Sequence, residues 1–491
     1  MEGCGTIIPA RISLSIRPES SQLECAFSLN GERFPREPAS LPSQQLLEAY
    51  RSDIKLAAAG FPVPSSSTQS MRRELRKIIP RTVIAAVRNA VAAVPEASTL
   101  ALEIKLNDPE ILDPYPWELL SEQGILASRK KAVTVWRSVP APKFSRRPSS
   151  SVLLVGSASF DTTSTDAAGE IAVLAELLRN STGIYPYEKP HITFAEFLEL
   201  LRALDPSVIH VITHGNMDGF QFQKDPEASR THDNIPPQEI GAYLAQSPTA
   251  SLVLLNACGS ASSWDDHTSV ARSSMARRIA TTSSATTIGM SAEIPNVVGF
   301  DFSKSFFEAL VSGDSLIEAF GAATRAIRRE KNFANLWSTL VMYAPPDSNV
   351  VLFPADPMGR TRLRFQELGR QLRQLDFETA ALTSHDLSQA LNSIPSIGTV
   401  KVRLAYIRDL LDEVETSALE GPERLRARRL LAQVQNHIGR ALGQLQIVLG
   451  NLQDPRRSRD QRDQATQSIR RVLAEQIRTF AQLEREFSDS R

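Results

Sequence analysis

Short apolar runs alternate with amphipathic segments through the middle of the chain. The strand-like runs lie at residues 152–155, 208–212, 252–256, 286–291 and 339–343. Between them, helical spacing is found at residues 167–178, 194–204, 237–245 and 270–280, and in two more helices that end near Lys331. This alternation predicts an α/β domain with a mainly parallel sheet covered by helices on both faces. The side chains that carry function in such a domain lie beyond the carboxyl ends of the strands.

The first 145 residues show a different order of elements. Strand-like alternation at 11–16 and 23–29 precedes helical spacing at 44–59, 71–79 and 82–93, and strand patterning returns at 99–106 and 132–136. We expect an α+β module here. Within 113–120, proline fixes the chain ahead of Trp117, which is expected to be a packing anchor. Proline and charge in 140–148 predict a linker. The module therefore spans 1–145 and the central domain spans 151–354.

Strand signals vanish after Pro354. Apolar positions recur every three or four residues over 431–448 and 469–487, and earlier helices are expected at 363–375 and 402–414. The region 360–491 is therefore predicted to be a helical bundle or coiled coil. We expect it to act as an interaction or regulatory domain, either by binding a regulatory protein or by self-association.

Composition narrows the classes of function. Lys plus Arg and Asp plus Glu both number 55, so no net charge draws this chain of 491 residues to nucleic acid or to an acidic membrane. Three cysteines, Cys4, Cys25 and Cys258, cannot form a disulfide framework, and no Cys-x-x-Cys pair suggests structural zinc. The amino terminus lacks a signal-peptide pattern, and no run approaches the roughly 18 apolar residues of a membrane span. We expect a soluble, cytoplasmic protein.

A histidine and a cysteine follow two of the predicted strands. His214 and Gly215 come after the run at 208–212, and Cys258 comes after the run at 252–256. A thiol beside an imidazole can act as a nucleophile with its base, without a metal. Cys258 would attack a carbonyl carbon and His214 would transfer the proton, while the backbone N–H groups of Gly215 and Cys258 would stabilise the oxyanion. Alone, His214 would be read as a capped loop histidine and Cys258 as a small buried side chain. The pair at matching strand ends favours catalysis.

His210 lies four residues before His214, a spacing that on a helix would suit two ligands of one metal ion. The run 208–212 has strand character instead, and residues four apart on a strand lie about 13 Å from each other. That separation is too long for a shared ion. We therefore expect His210 to pack in the core or to support the site, and we expect no metal and no cofactor.

Together these motifs resemble a known family. His210-x-x-x-His214-Gly215 followed by Asn256-Ala257-Cys258-Gly259-Ser260 is similar to the CHAT domain, a caspase-like peptidase family of bacteria related to separases, caspases and gingipains. The resemblance continues in the segments 276–289, 306–310 and 313–319, at Trp337, and upstream in 116–120 and 135–137. It covers about residues 95–350. It implies a caspase-like sheet and a catalytic dyad of His214 and Cys258.

Two acidic residues are candidates for substrate binding. The strand 286–291 should neighbour the cysteine strand, so that Glu293 would line the pocket for the residue before the cleaved bond. Separases, which the segment 289–293 resembles, place an acidic residue here to pair with a substrate arginine. Asp218, just after the histidine loop, is the second candidate. A carboxylate in a concave pocket selects basic side chains, so cleavage after Arg or Lys is expected. The alternative is that Glu293 is an exposed loop residue.

The function expected from these features is that of a regulated cysteine endopeptidase. CHAT peptidases are often effectors in bacterial defence and cell death, so the resemblance implies a protein substrate such as a pore-forming protein or a pro-protein. Two polar, irregular segments, 221–234 and 260–268, flank the dyad and are candidates for ordering or cleavage on activation. The alternative from another class is a catalytically silent caspase-like adaptor that acts through the helical region. An unrelated α/β hydrolase is disfavoured because the chain has no Gly-x-Ser-x-Gly elbow.

Overall fold

The computed structural model describes most of residues 7–355 and a few positions beyond them. The described residues are 7–16, 22–61, 63, 66–93, 99–121, 126, 132–140, 149–157, 166–182, 184, 186–215, 219–224, 232–247, 249–257, 260–262, 264–265, 270–271, 273–330, 335–346 and 348–355. Beyond these they are 360, 363, 366–374, 402–403, 405–407, 432, 436, 439, 443, 460, 461, 464, 467, 471 and 478.

The amino-terminal part contains six strands and four helices among its described residues. In chain order they are β1 (Ile7–Ile16), β2 (Leu23–Leu29), β3 (Glu32–Arg33), β4 (Glu37–Ala39), α1 (Gln44–Ala58), α2 (Ser66–Ile78), α3 (Arg81–Ala92), β5 (Thr99–Leu106), α4 (Pro109–Leu112) and β6 (Ala132–Ser138). A 3-10 turn, Trp117–Ser121, lies between α4 and β6. Trp117 is buried and its indole N–H donates to the carbonyl of Leu112 at 2.8 Å. The predicted packing anchor is confirmed.

The central part alternates strands and helices as its sequence pattern predicts. Its elements are β7 (Val152–Ser157), α5 (Ala167–Thr182), β8 (Pro186–Lys189), α6 (Phe194–Leu204), β9 (Val208–Thr213), β10 (Phe220–Gln223), β11 (His232–Ile235), α7 (Pro237–Ala245), β12 (Leu252–Asn256), β13 (Trp264–Asp265), β14 (Val270–Ala271), α8 (Met275–Ser283), β15 (Thr286–Met290), α9 (Asn296–Val311), α10 (Leu316–Arg329) and β16 (Leu340–Ala344). A second 3-10 turn, Leu336–Thr339, precedes β16.

One sheet of twelve strands runs through both parts of the chain. Its order is β3-β2-β1-β5-β6-β16-β15-β12-β9-β7-β8, with β4 paired to β2. The strands from β15 to β8 are all parallel, whereas β16 runs antiparallel to β15 and parallel to β6. The predicted α/β class with a mainly parallel sheet and flanking helices is confirmed. Because of the reversal at β16, the strands β1, β5 and β6 end at the edge opposite to the carboxyl ends of β9 and β12.

Alternate residues of the central strands enter two different cores. Val208 and Ile212 of β9 pack in the same apolar cluster as helices α5, α9 and α10, whereas Ile209 and Val211 pack in a cluster with α6, α7 and α8. This division follows from the two-residue period of a strand, which sends successive side chains to opposite faces. The uninterrupted apolar runs of the sequence therefore reflect a sheet that is covered on both sides.

Three local predictions were wrong, and one of them concerns the segment 260–268, which was expected to be irregular but contains strand β13 at Trp264–Asp265, paired with β14. The segment 270–280 was expected to be a single helix, but Val270–Ala271 is strand β14 and α8 begins only at Met275, because Ser274 caps the helix by accepting from the N–H of Arg277. The segment 221–234 was expected to be irregular, yet its two ends form the hairpin strands β10 and β11. In β10, buried Phe220 and Phe222 alternate with glutamine. This pattern covers only four residues and lies between polar segments, so it does not stand out in the sequence as a strand.

A buried arginine joins the amino-terminal strands to the central sheet. The Arg137 side chain in β6 donates all five of its N–H groups. Two donate to the Glu118 carboxylate at 2.9 and 2.6 Å, and one donates to the Tyr115 carbonyl at 3.0 Å. The other two donate to the backbone carbonyl and the carboxylate of Asp113 at 2.6 and 2.9 Å. Burial opposes the charge of Arg137, but Glu118 and the other neighbours outweigh it and raise its pKa well above the ordinary value. Across the β6–β16 pairing, the Tyr343 hydroxyl contacts the Asp113 carboxylate at 3.0 Å.

Replacing Arg137 by alanine should destabilise the fold strongly. The change leaves Glu118 buried without its guanidinium partner, and removing one member of a buried pair costs about 3–5 kcal/mol. Urea unfolding followed by circular dichroism measures the loss. Lys77→Ala is the control, because the Lys77 side chain is 64% exposed beside Glu74 and such pairs contribute under about 1 kcal/mol. Equal midpoints for the two variants would show that the Arg137 cluster does not hold the sheet together.

Candidate functional site

His214 lies immediately beyond the carboxyl end of β9 in a loop held by backbone hydrogen bonds. Its carbonyl accepts from the N–H of Gln221 at 3.0 Å, and the next residue, Gly215, pairs with Phe220. Just before it, the Thr213 hydroxyl donates to the Gln221 carbonyl at 2.6 Å. His214 itself is half-buried. The end of β9 and the hairpin of β10 and β11 thus fix the backbone before and after His214. The residue itself stays partly accessible.

Cys258 and Gly259 lie outside the described residues, but Ala257 before them and Ser260 after them are described. Asn256 is the last residue of β12 and Ala257 is buried directly after it. On the far side, the N–H of Ser260 donates to the Ala257 carbonyl at 3.1 Å, and the Ser260 hydroxyl accepts from the N–H of Met290 at 3.0 Å. The segment that contains Cys258 is therefore anchored at each end to the central sheet.

Glycine 289 allows this anchoring. A Cβ at Gly289 in β15 would lie 2.6 Å from the Ser260 Oγ, closer than side-chain carbon atoms approach in proteins. The absence of a side chain lets the turn after Cys258 lie directly against β15, where Ala261 also donates its N–H to the Met290 carbonyl at 2.8 Å.

The strand register relates the two candidate catalytic residues. Ile212 of β9 is the register partner of Asn256 of β12, and the strands are parallel. His214 and Cys258 each follow this last pair by two residues (214 − 212 = 2 and 258 − 256 = 2). Neighbouring strands lie about 4.8 Å apart, so the chain leaves the sheet toward both residues at the same level.

The structure describes one of the two candidate specificity residues. Glu293 is exposed and follows the carboxyl end of β15, which neighbours β12 on the side away from β9. It therefore belongs to the same edge of the sheet as His214. Asp218 lies outside the described residues. Among the residues that the structure describes, no group of three or more His, Cys, Asp or Glu side chains is arranged to hold a metal ion.

Beneath this edge lies a buried polar cluster that the sequence analysis recognised only in part. His210 is fully buried, and its Nε2 lies 2.8 Å from Glu170 Oε1. The other carboxylate oxygen, Glu170 Oε2, accepts from the side-chain amide of Asn256 at 2.7 Å. His210 was expected to pack or to support the site, whereas Glu170 was missed. Its signal was present, since Glu170 interrupts the apolar face of α5 next to Ile171.

The opposite edge of the sheet contacts the carboxyl-terminal region. Arg370 Nη1 lies 2.8 Å from the Asp205 carboxylate, and its Nη2 donates to the Leu204 carbonyl at 2.6 Å. Gln371 donates to the same carbonyl at 2.8 Å. Asp205 ends α6 in the left-handed conformation, with φ of 44°, and leads into β9. The segment around Arg370 therefore contacts the end of α6, just before β9, the strand that leads to His214.

A second set of polar contacts holds the carboxyl-terminal region against the same edge of the sheet. Glu367 is fully buried and accepts from the Ser149 hydroxyl at 2.7 Å, next to the start of β7. Arg403, also fully buried, bonds Gln371 and donates to the Arg202 carbonyl at 3.0 Å. Two separate parts of the carboxyl-terminal region, 366–374 and 402–407, thus meet at one place. The described positions there are helical, and how the rest of 360–491 packs lies outside the described residues.

The fold and the strand-end site define a protein of the caspase-like α/β class. The CHAT domain family matches residues 73–345, and the chain belongs to this family, which is related to caspase-like cysteine peptidases. The matched region runs from α2 through β16 and so includes strands of both parts of the sheet. A search of curated proteins found no match. None of the helices in the described part of the chain is long and apolar enough to cross a membrane.

Proposed function

We propose that the chain is a cysteine endopeptidase that cleaves a protein substrate with a dyad of His214 and Cys258. The observation that carries the proposal is the register of β9 and β12, which leads the chain to both residues at the same edge and level of the sheet. Ligand and active sites of parallel α/β sheets form at this edge. Membership of the CHAT family supports the same chemistry.

The reaction divides into two steps. In the first, His214 takes the thiol proton of Cys258, the sulfur forms a bond to the scissile carbonyl carbon, the C–N bond breaks, and His214 passes that proton to the departing amine. In the second, His214 takes a proton from water, whose oxygen displaces the sulfur and releases the carboxylic acid. The backbone N–H groups of Gly215 and Cys258 donate to the oxyanion in both steps.

Specificity for basic residues is part of the proposal. Glu293 is exposed beyond the end of β15, beside the strand that leads to Cys258. A carboxylate there would pair with an arginine or lysine before the cleaved bond, and arginine can bind it with two parallel hydrogen bonds. Asp218 is the second candidate for the same contact.

We also propose that residues 360–491 regulate the peptidase by binding a partner protein or a second copy of the chain. The contacts of Arg370 and Gln371 with Leu204 and Asp205 support this, because they hold the segment 366–374 against the end of α6, just before β9. The resemblance to CHAT peptidases supports a role in bacterial defence or cell death, with a pore-forming protein or a pro-protein as the substrate.

The dyad is tested by expressing the unaltered chain, Cys258→Ala and Cys25→Ala beside proteins encoded by neighbouring genes. Cleavage of one neighbour, detected by mass spectrometry, should be lost in Cys258→Ala and retained in Cys25→Ala, because Cys25 is buried in β2 away from the strand ends. Equal cleavage by the unaltered chain and Cys258→Ala would exclude the dyad, whereas no cleavage of any neighbour by the unaltered chain would favour the adaptor alternative.

The proposed role of Glu293 in selecting basic residues is tested with a peptide library and the variant Glu293→Gln. The unaltered enzyme should cleave after Arg or Lys, and loss of the charge should lower kcat/KM for arginine peptides by about 10- to 100-fold, the equivalent of one charge-assisted hydrogen bond. Glu308→Gln, an exposed carboxylate on α9, is the matched control. A library profile dominated by Asp or by apolar residues before the cleaved bond would overturn this specificity.

Regulation is tested at Arg370. If docking of the carboxyl-terminal region restrains the dyad, Arg370→Ala should raise the cleavage rate without a partner by about tenfold, within the usual range of coupling between sites. Arg373→Ala, at an exposed position of the same segment, should leave the rate unchanged. Equal rates for Arg370→Ala and Arg373→Ala would show that this contact does not transmit control.

A further inference from the structure

The buried cluster of Glu170, His210 and Asn256 connects three elements at one point. Glu170 comes from α5, His210 from β9 and Asn256 from β12, and the relative exposure of the three residues is 5%, 0% and 8%. The carboxylate of Glu170 contacts both partners, one with each oxygen. Buried polar groups cost free energy unless they are hydrogen-bonded, so this arrangement satisfies groups that would otherwise destabilise the core.

Two hydrogen bonds of the cluster have a direction that is fixed by a partner that can only accept or only donate. The Leu254 carbonyl lies 3.3 Å from His210 Nδ1 and can only accept, so Nδ1 carries a hydrogen. The opposite ring nitrogen, Nε2, lies 2.8 Å from Glu170 Oε1, and this hydrogen bond requires a second proton, carried either by Nε2 or by the carboxyl group. Asn256 Nδ2 can only donate, so Glu170 Oε2 accepts. Glu170 is thus the centre of the cluster, because it alone contacts both other side chains.

The Asn256 side chain has little room to move. A Cβ on Gly299 of α9 would lie 2.6 Å from Asn256 Oδ1, which shows that the α9 backbone is directly against this amide. Glu170 holds the amide nitrogen from α5 at the same time. Asn256 is also the last residue of β12, two residues before Cys258. The chain leaves the sheet directly after this residue.

We propose that Glu170 is a positioning residue for the dyad: by fixing the amide of Asn256, it sets the position of the segment that carries Cys258. The inference rests on the proposed function, in that Cys258 is the nucleophile. His210 completes the cluster by holding the second oxygen of Glu170, which gives it a role other than that of His214.

Three variants of the full chain distinguish the effect of losing the hydrogen bonds from the effect of changing the residues that make them. Glu170→Ala removes both contacts of the carboxylate. Glu170→Gln keeps an oxygen that can accept from Asn256 and an N–H that can donate to His210 Nε2. Asn256→Ala removes the amide itself. Glu176→Ala, at an exposed position of α5, is the matched control.

The readout is the rate at which iodoacetamide alkylates Cys258, because alkylation needs the thiolate but no knowledge of the substrate. Mass spectrometry resolves Cys258 from the other two cysteines. Cys25 reports the background, since burial, together with the charge of Glu37, raises its pKa to about 12. Thermal melting of each variant shows whether the fold is retained.

We expect Glu170→Ala and Asn256→Ala to slow alkylation by at least about tenfold, because small displacements of a reacting group have effects of this size. Glu170→Gln should recover most of the loss, and Glu176→Ala should match the unaltered chain. Should Glu170→Ala fail to fold, the other two variants decide the question. Asn256→Ala reacting at the unaltered rate, or Glu170→Gln reacting as slowly as Asn256→Ala, would overturn the positioning role.

The unaltered chain distinguishes this proposal from the proposed function. If its Cys258 reacts no faster than an ordinary exposed thiol, the dyad is wrong and the positioning role falls with it. If Cys258 reacts rapidly in the unaltered chain and equally fast in Glu170→Ala and Asn256→Ala, the dyad stands and only the role of Glu170 is refuted.

Discussion

The parallel pairing of β9, β12 and β15 is the constraint on which the site depends. Parallel strands end at the same edge of a sheet, so the residues that follow them are brought together although they are far apart in sequence. Here the edge receives His214 from β9 and Glu293 from β15, with the end of β12 at Asn256 between them. The reversal at β16 sends the carboxyl ends of β1, β5 and β6 to the other edge. The amino-terminal strands thus enlarge the sheet without adding their own ends to the site.

Three buried or half-buried ionic clusters connect the sheet to its surroundings. The Arg137 cluster joins the amino-terminal part to β16 through the contact of Asp113 with Tyr343, Glu170 joins α5 to β9 and β12, and Arg370 joins the segment 366–374 to Asp205, just before β9. A domain is stable by only about 5–15 kcal/mol, and breaking one buried pair costs about 3–5 kcal/mol. Such clusters therefore favour one arrangement of segments over others, because a shifted arrangement would leave charges buried without partners.

Much of the fold can be predicted from the sequence because many of its elements have strong local signals. Strands β2, β5 and β12 and helices α6 and α7 begin and end at the predicted residues. In α6, Thr193 and Glu196 form a capping box that marks the start of the helix. Where such signals conflict, prediction fails. Val270 fits the apolar spacing of α8, but Ser274 caps the helix after it and the chain pairs as a strand instead.

The candidate site shows a different limit. His214 and Cys258 can be recognised because each follows an apolar run, which is a local pattern. Glu170 has a local signal as a charged residue on the apolar face of α5, but its role cannot be found this way, since its partners lie 40 and 86 residues away and the sequence does not state which helix covers which strands. The same holds for the pairing of β6 with β16, which brings Arg137 beside Tyr343. Contacts of this kind depend on the complete order of the sheet.

The central claim, that His214 activates Cys258, is tested most directly by the pH dependence of Cys258 alkylation in the unaltered chain and in His214→Ala. An imidazole next to the thiol lowers its pKa, so the unaltered chain should react at neutral pH with a midpoint well below the ordinary thiol value of about 8.5. In His214→Ala the midpoint should return to that value and the rate at pH 7 should fall. Superimposable profiles for the two proteins would contradict the account, because they would show that the two residues do not meet at the edge of the sheet.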